Sequence, residues 1–288
     1  MKAKAIAYGA ITVVNAISTG KGAALGIDLW TRATVALNNR PEMIEVTINS
    51  DPSESPELAR KVVSKILEKF RQQNKHGADV EIDSNIPIAR GLKSSSAAAN
   101  AIALATVGAL RKRPRDIAVV KLGVQAAIEA GVTITGAFDD ACASYFGNLV
   151  VTNNKMLRIE KIHDVKKRYR ILIHVPELKS YTINSNVERM KEISPLIRIA
   201  HQQALEGDYW SAMCFNGYAH SIALGYNPSI AVEALSAGAV ASGLSGKGPA
   251  VAAVVPSDNV DSLKKAWSKY PGELIQAEIN RKKAHILG

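Results

Sequence analysis

Residues 87–100 read PIARGLKSSSAAAN, and few stretches restrict a chain more. The run follows ADVEIDS, which alternates with the period of a strand, and enters an alanine-rich stretch that favours helix. A turn must join the two, so Gly91 to Ser96 fall around the first turn of a helix. The first backbone N–H groups of a helix lack internal partners, and the helix dipole adds partial positive charge there. Glycine lets backbone come close to a ligand, the serine hydroxyls add donors and metal-binding oxygens, and Lys93 adds a full charge. One serine would suffice as a cap. Three, with a glycine and a lysine, point to an anion site suited to phosphate. It is not a Walker loop: neither TGKGAA (19–24) nor SGKGPA (245–250) supplies G-x-x-x-x-G-K-[ST], and no G-x-G-x-x-G follows a strand.

The surrounding pattern is mixed. KAKAIAYGAITVVNAI, LGIDLWTRATVAL and MIEVTI have the character of strands. SPELARKVVSKILEKFRQQN then places Leu58, Val62, Ile66 and Phe70 on one helical face, with Ser55 as a candidate cap and Pro56 in the first turn. Helices are expected over roughly 94–111 and 114–130, and turn-rich GVTITGAFDD leads on to SYFGNLVVT. A charged stretch, 153–168, precedes the strand YRILIHVP. Helical patterns fill roughly 184–223, with a break near Pro195, and resume at Pro228. AVASGLSGKGPAVAAVV reads as strand, glycine turn and strand; a helix at about 258–269 and the segment GELIQAEI follow. Interspersed strands and helices without an internal repeat argue an α+β fold.

The 288 residues, 47% hydrophobic and 22% charged, suit an ordinary globular chain of about two domains, with a boundary near 152–168. A formal net charge of +10 favours anionic partners such as nucleotides, acidic metabolites, RNA or a membrane surface. The basic residues are scattered, and the runs RKRPR (111–115) and KKR (166–168) are short enough to be solvated surface. Cys142 and Cys214 are too few for a metal cluster or a disulfide framework, and the six histidines show no ligand spacing. No secretory leader pattern opens the sequence, and the run AAANAIALATVGAL falls short of a membrane span. A soluble cytoplasmic protein is expected.

The segment PIARGLKSSSAA resembles the second motif, usually P-x-x-x-G-L-G-S-S-A-A, of the kinases grouped with galactokinase, homoserine kinase, mevalonate kinase and phosphomevalonate kinase. AYGAITVVNA (7–16) resembles their first motif and LSGKGPA (244–250) their glycine-rich third, so the likeness spans nearly the whole chain in the right order. GLKSSSAAANA, with GAITVVNAI before it and TGAFDDACAS after, is most similar to the archaeal shikimate kinases of this group. The resemblance implies a two-domain α+β fold, with a ribosomal-protein-like N-terminal domain over 1–155 and a ferredoxin-like C-terminal domain over 156–288. It implies ATP-dependent phosphorylation of shikimate to shikimate 3-phosphate with magnesium, and neither nucleic acid nor membrane as partner. It leaves the oligomeric state open.

By the same resemblance, Pro87, Ile88, Ala89, Arg90, Gly91, Leu92, Lys93, Ser94, Ser95, Ser96 and Ala97 form the nucleotide-binding segment. Ser95 and Glu129 are the implied magnesium ligands, and Asp139 is the catalytic residue facing the acceptor, with no strongly raised pKa required of it. Asp140 takes a place often filled by asparagine. Without the resemblance, Glu129 reads as a solvated carboxylate at a helix end, and Asp139 or Asp140 as a cap. Many relatives have a lysine after the glycine of the first motif; here Ala10 follows Gly9, and Lys93, replacing the motif's usual glycine, is the expected substitute in part. Because shikimate is an anion, its pocket should hold an arginine or lysine. The alternatives are another acceptor within the group, homoserine or mevalonate for example, and an RNA-binding module. The low aromatic content, 5%, and the lack of a basic–aromatic cluster speak against the latter.

Overall fold

The computed structural model describes residues 1–133, 135–177 and 187–288. The first part of the chain runs β1 (Lys2–Val14), β2 (Lys21–Asn38), β3 (Ile44–Ile48), α1 (Glu57–Lys69), β4 (Gly77–Ser84), α2 (Ser94–Ala109), α3 (Asp116–Glu129), α4 (Phe138–Phe146), β5 (Leu149–Asn153) and β6 (Arg158–His163). The second continues β7 (Tyr169–Val175), α5 (Val187–Glu192), α6 (Ser194–Glu206), α7 (Tyr209–Leu224), α8 (Ser229–Ser236), β8 (Ala241–Leu244), β9 (Val251–Pro256), α9 (Val260–Trp267), β10 (Glu273–Glu278) and β11 (His285–Leu287).

Among the described residues these strands form two sheets. The first has the order β11-β1-β2-β4-β3, with β5 and then β6 joined to the other end of β2; the second has the order β10-β7-β9-β8. Only β3 and β4 pair in parallel. Strand β2 is long enough to serve two partners: Thr31–Asn38 pair with β4 and Lys21–Leu25 with β5. Both β6 and the late strand β11 belong to the first sheet, so the division expected at 155/156 does not coincide with the division between sheets.

Strand β1 shows why the early alternation gives way to an almost continuous apolar run. Ala5, Ala7 and Ala10 enter a core shared with α1 to α4, whereas Ile11 and Val13 enter a second core with Ile171 and Ile173 of β7 and Met213 of α7. The first sheet is covered on both faces, as such a run requires. An irregularity in the β1–β2 pairing at Tyr8/Gly9 shifts the phase of the alternation there. Helix α2 is buried nearly all round, and its alanines (Ala99, Ala101, Ala103 and Ala105) let the sheet and the other helices approach closely. A third core lies on the far face of the second sheet around the fully buried Trp267.

The helices expected at 94–111, 114–130 and 228 onward are found as α2, α3 and α8. The region 184–223 breaks near Pro195 as expected, at Ile193 between α5 and α6. Residues 184–186 lie outside the described residues, α6 carries Pro195 in its first turn, and a further break falls at Gly207–Asp208, where Gly207 adopts φ +107°. The charged stretch contains β6, whose mostly half-buried and exposed residues conceal the alternation of a core strand.

One close approach ties fold to site. Gly217 of α7 packs on Gly243 of β8 so tightly that a Cβ at Gly217 would lie 2.4 Å from Gly243 Cα. The preceding residue, Asn216, reaches β1, its Oδ1 accepting the N–H of Asn15 at 2.9 Å. Gly217→Ala should therefore destabilise the protein by roughly 1–3 kcal/mol, the range for overpacking, despite alanine's advantage of about 1 kcal/mol within a helix. Denaturant unfolding checks this; a more stable variant would mean that the helix–strand interface has slack.

Candidate active site

The three motifs meet in one cleft. Ser245 is the joint between them: its Oγ accepts the N–H of Thr12 at 3.2 Å and donates to the carbonyl of Gly91 at 2.8 Å. Gly246 N–H donates to Thr12 Oγ1 at 2.8 Å, and Asn15 Nδ2 donates to Gly246 O at 2.8 Å. Gly91 must be glycine on two counts. Its φ is +88°, and a Cβ there would lie 2.2 Å from Ser245 O.

Helix α2 begins at Ser94, immediately after Lys93, which adopts φ +65°. That left-handed conformation favours glycine, the residue usual at this motif position, so Lys93 brings a charge to the cleft at some backbone cost. Of the expected nucleotide segment, Ala89, Gly91, Lys93, Ser94, Ser95 and Ser96 line the cleft. Leu92 and Ala97 are instead buried in the core. Pro87, Ile88 and Arg90 border a neighbouring cavity, and Arg90 Nη1 donates to the carbonyl of Pro176 at 2.6 Å. A third, largely apolar pocket lies between β3, α1 and α2. Ile48, Leu58, Ile82 and Ile102 line it, and it reaches Ser94 and Ser95. No single stretch of the sequence marks that pocket, because its walls come from five elements, β2, β3, α1, β4 and α2.

Asp139 and Asp140 lie in the first turn of α4, not in an extended loop. Asp139 is buried, and its Oδ1 accepts from Asn154 Nδ2 at 2.8 Å. Gly22 of β2 leaves the room it needs, for a Cβ there would come 2.3 Å from Oδ2. Burial first, and then the charge of Asp140, hold the Asp139 carboxyl well above the usual carboxylate range, while Lys93 pulls it back. The mechanism does not require so high a value, and burial imposes it. Asp140 instead pairs with Lys93, Oδ1 to Nζ 3.1 Å.

Lys247, on the turn between β8 and β9, also lines the cleft. Its Nζ is buried without a hydrogen-bond partner. Burial and then the nearby Lys93 charge lower its pKa to about 7, partly offset by Asp140. The third motif contained this lysine in plain view, but nothing local distinguishes it from a surface lysine. Ala10 is fully buried in β1, and Thr12 is the residue that β1 presents to the cleft.

Glu129 is not brought to the cleft. It ends α3 with its side chain 45% exposed, and its carboxylate is held by Lys65 of α1. Motif spacing fixed its place on the helix but could not reveal the lysine opposite. The arrangement as a whole has the parts of a phosphoryl-transfer site: a helix N-terminus with two lysines for phosphates, and a buried carboxylate beside them.

Gly91→Val should abolish nucleotide binding in a folded protein, because the side chain would collide with the Ser245 carbonyl and a β-branched residue resists positive φ. Unchanged ATP affinity in calorimetry would sink the assignment of this turn. Lys247 yields a pH prediction. Between about 7 and the ordinary value of 10.5 the unfolded chain keeps this proton and the folded protein does not. This group's contribution to stability therefore rises with pH across that window, its penalty being fully present below about 7. A bound polyphosphate reverses the shift, so ATP binding at pH 8 should take up a proton and weaken as pH rises. The binding enthalpy should then vary with buffer ionisation heat, and Lys247→Met should remove that dependence; a dependence surviving the substitution would assign the proton elsewhere.

Comparison with known proteins agrees with the geometry. Residues 57–148 match the family model described as the GHMP kinases N terminal domain. The shikimate kinase of Methanosarcina mazei is 42% identical over 97% of this chain and 95% of its own length, and that of Pyrococcus abyssi 40% identical over 97% and 100%. Among solved structures, Methanococcus jannaschii mevalonate kinase (TM-score 0.78, 18% identity) covers 97% of this chain and 98% of its own. Cytophaga hutchinsonii homoserine kinase (TM-score 0.77, 14% identity) covers 99% and 97%, and at such identities the likeness is one of fold. With all three motifs meeting in one cleft and relatives matched along their length, the chain belongs to the archaeal shikimate kinase family of the GHMP kinases.

Proposed function

We propose that this protein transfers the γ-phosphoryl group of ATP to the 3-hydroxyl of shikimate, yielding ADP and shikimate 3-phosphate. The observation that carries the reading is Asp139, a buried carboxyl of raised proton affinity set beside the phosphate cradle. Full-length relatives named shikimate kinase supply the acceptor. Two free cysteines, Cys142 and Cys214, suit a cytoplasmic enzyme. Among the described residues no helix is long and apolar enough to cross a membrane.

The nucleobase occupies the apolar pocket beside Ile48 and Ile102, and the phosphates pass over Ser94 and Ser95 to the α2 N-terminus. Lys93 and Lys247 face the phosphate oxygens, and Lys247 gains there the partner that it lacks. Magnesium, when bound, neutralises charge on the phosphates. Ser95 offers it a hydroxyl oxygen, and phosphate oxygens and water complete the set that this ion prefers. Glu129 joins that set only by releasing Lys65, a partly exposed pair of the kind worth little in free energy. Asp139 takes the proton of the acceptor hydroxyl as that oxygen bonds to the γ-phosphorus and the bond to the ADP oxygen breaks. Asn154 keeps the carboxyl oriented.

A coupled assay for ADP across shikimate, homoserine and mevalonate tests the reading. Turnover is expected with shikimate; turnover with another of the three instead would move the chain to a sister activity. Asp139→Asn should lower kcat by ~100-fold or more, the scale of a lost general base, while still binding both substrates. Asp140→Asn should cost less, because its role is to pair with Lys93. The reverse ranking would shift the proton acceptor by one residue.

A further inference from the structure

A second cavity opens beside the catalytic cleft and shares Ile17 and Thr135 with it. Asn154, the residue that holds Asp139, is also part of its wall. A molecule that presents a hydroxyl to Asp139 therefore has this cavity within reach of its remaining groups. Among the described residues the cavity contains no aspartate or glutamate. Its charged residues are Lys155 and Lys191, and among the described residues neither is paired with a carboxylate. The two phosphate-facing lysines, Lys93 and Lys247, lie in the first cleft and not in this one.

Lys155 is placed by the backbone around it. It follows Asn154 at the turn after β5, and Asn154 N–H donates to Gly20 O at 2.9 Å. Gly20 N–H in turn donates to Ala16 O at 2.7 Å, so the loop after β1 and the turn after β5 are fastened together. The Lys155 side chain lies across Gly20. A Cβ there would come 2.5 Å from Lys155 Cε, and Gly20 has φ +75°. Glycine at this position thus serves both the loop conformation and the path of the lysine stem. Lys191 comes from the end of α5, a segment joined to the same loop through Ser194, whose Oγ donates to Ser18 O at 2.9 Å.

We propose that Lys155, with Lys191 beside it, binds the carboxylate of the acceptor and selects an anionic hydroxy acid over neutral polyols. The proposal rests on the shikimate reading above and deepens it. An ammonium bound to a carboxylate makes a charge-assisted hydrogen bond, and hydroxyls of Ser18, Thr19 and Thr135 around it suit an acceptor that carries several hydroxyls of its own. Chemistry stays with Asp139; Lys155 acts on binding and on orientation of the ring.

The test is a cycle between side chain and substrate charge, using shikimate and its methyl ester, which lacks the carboxylate charge. Wild type, Lys155→Met, Lys155→Arg and Lys191→Met are compared in steady-state kinetics with saturating ATP. Both lysines are exposed, so the variants should fold. Lys155→Met should raise KM for shikimate by ~10- to 100-fold, the scale of a lost hydrogen bond to a charged group, with a smaller change in kcat. The methyl ester should be a poor substrate of the wild type and should suffer no added penalty in Lys155→Met, while Lys155→Arg should recover most of the affinity for shikimate. Equal losses on acid and ester, or no loss on either, would overturn the proposal although wild type still phosphorylates shikimate. An acid-selective loss confined to Lys191→Met would overturn the assignment to Lys155. Failure of the wild type itself on shikimate, with turnover of a different acceptor, would remove the proposed function and this inference together.

Discussion

A single buried hydroxyl, that of Ser245, joins the two sheets beside the candidate active site. A serine hydroxyl has one proton to give and lone pairs to accept with, and Ser245 uses both, toward Gly91 O and from Thr12 N–H. Its partners lie 154 and 233 residues away in sequence. Removing it would strand a carbonyl and an N–H, each costing about 1–3 kcal/mol if buried without a partner. More follows from its position than from its energy. With the Gly91 carbonyl fixed, the turn that starts α2 is fixed, and with it the direction in which the orphan N–H groups point. The return bond from Gly246 to Thr12 sets the second glycine turn on the same frame and carries Lys247 with it.

The charges on that frame are deliberately unbalanced. Lys93 and Asp140 neutralise one another at 3.1 Å, leaving Asp139 and Lys247 each without an ion-pair partner in a buried setting. Both are driven toward their neutral forms, Asp139 upward and Lys247 downward in pKa, and burial is the larger cause for each. An isolated protein gains nothing from such a pair, since a buried titratable group held away from its ordinary protonation state costs folding free energy. The cost makes sense when both partners arrive from outside. In the proposed reaction a phosphate supplies the anion that Lys247 lacks, and an acceptor hydroxyl gives its proton to the ionised fraction of the Asp139 carboxyl, whose raised proton affinity makes it the stronger base.

Much of this was legible in the sequence wherever the determinant was local. The strand and helix periods on either side of residues 91–96 place a helix N-terminus there, and α2 begins at Ser94. What escaped were features that depend on a remote partner. Strand β6 was hidden because its half-exposed residues lack a core strand's alternation, and β11 because three residues at a sheet edge carry almost no pattern. Asn154 could not be told from any turn asparagine until its contact with Asp139 was visible. The unusual state of Lys247 is a consequence of burial by other segments, which spacing does not report. Glu129 shows the opposite limit: its helix was placed well, yet Lys65, on α1, decides where its carboxylate goes.

The division of labour within the site accounts for how one fold can serve kinases named for acceptors as unlike as homoserine, mevalonate and galactose at 13–18% identity to this chain. The proposed phosphate side consists largely of backbone groups, glycines and a helix end, which depend on the main-chain path and tolerate little change at Gly91 or Gly246. The acceptor side is built differently. As proposed, it draws on the loop after β1, the turn after β5 and the end of α5, where side chains such as Lys155 and Lys191 project from connections rather than from the sheet. Connections can exchange side chains without moving a core strand. Selection for a new acceptor could thus act on those side chains while Ser245, Thr12 and Gly91 keep their bonds to one another, so that the proposed specificity of this chain belongs to the site's edge rather than to its frame.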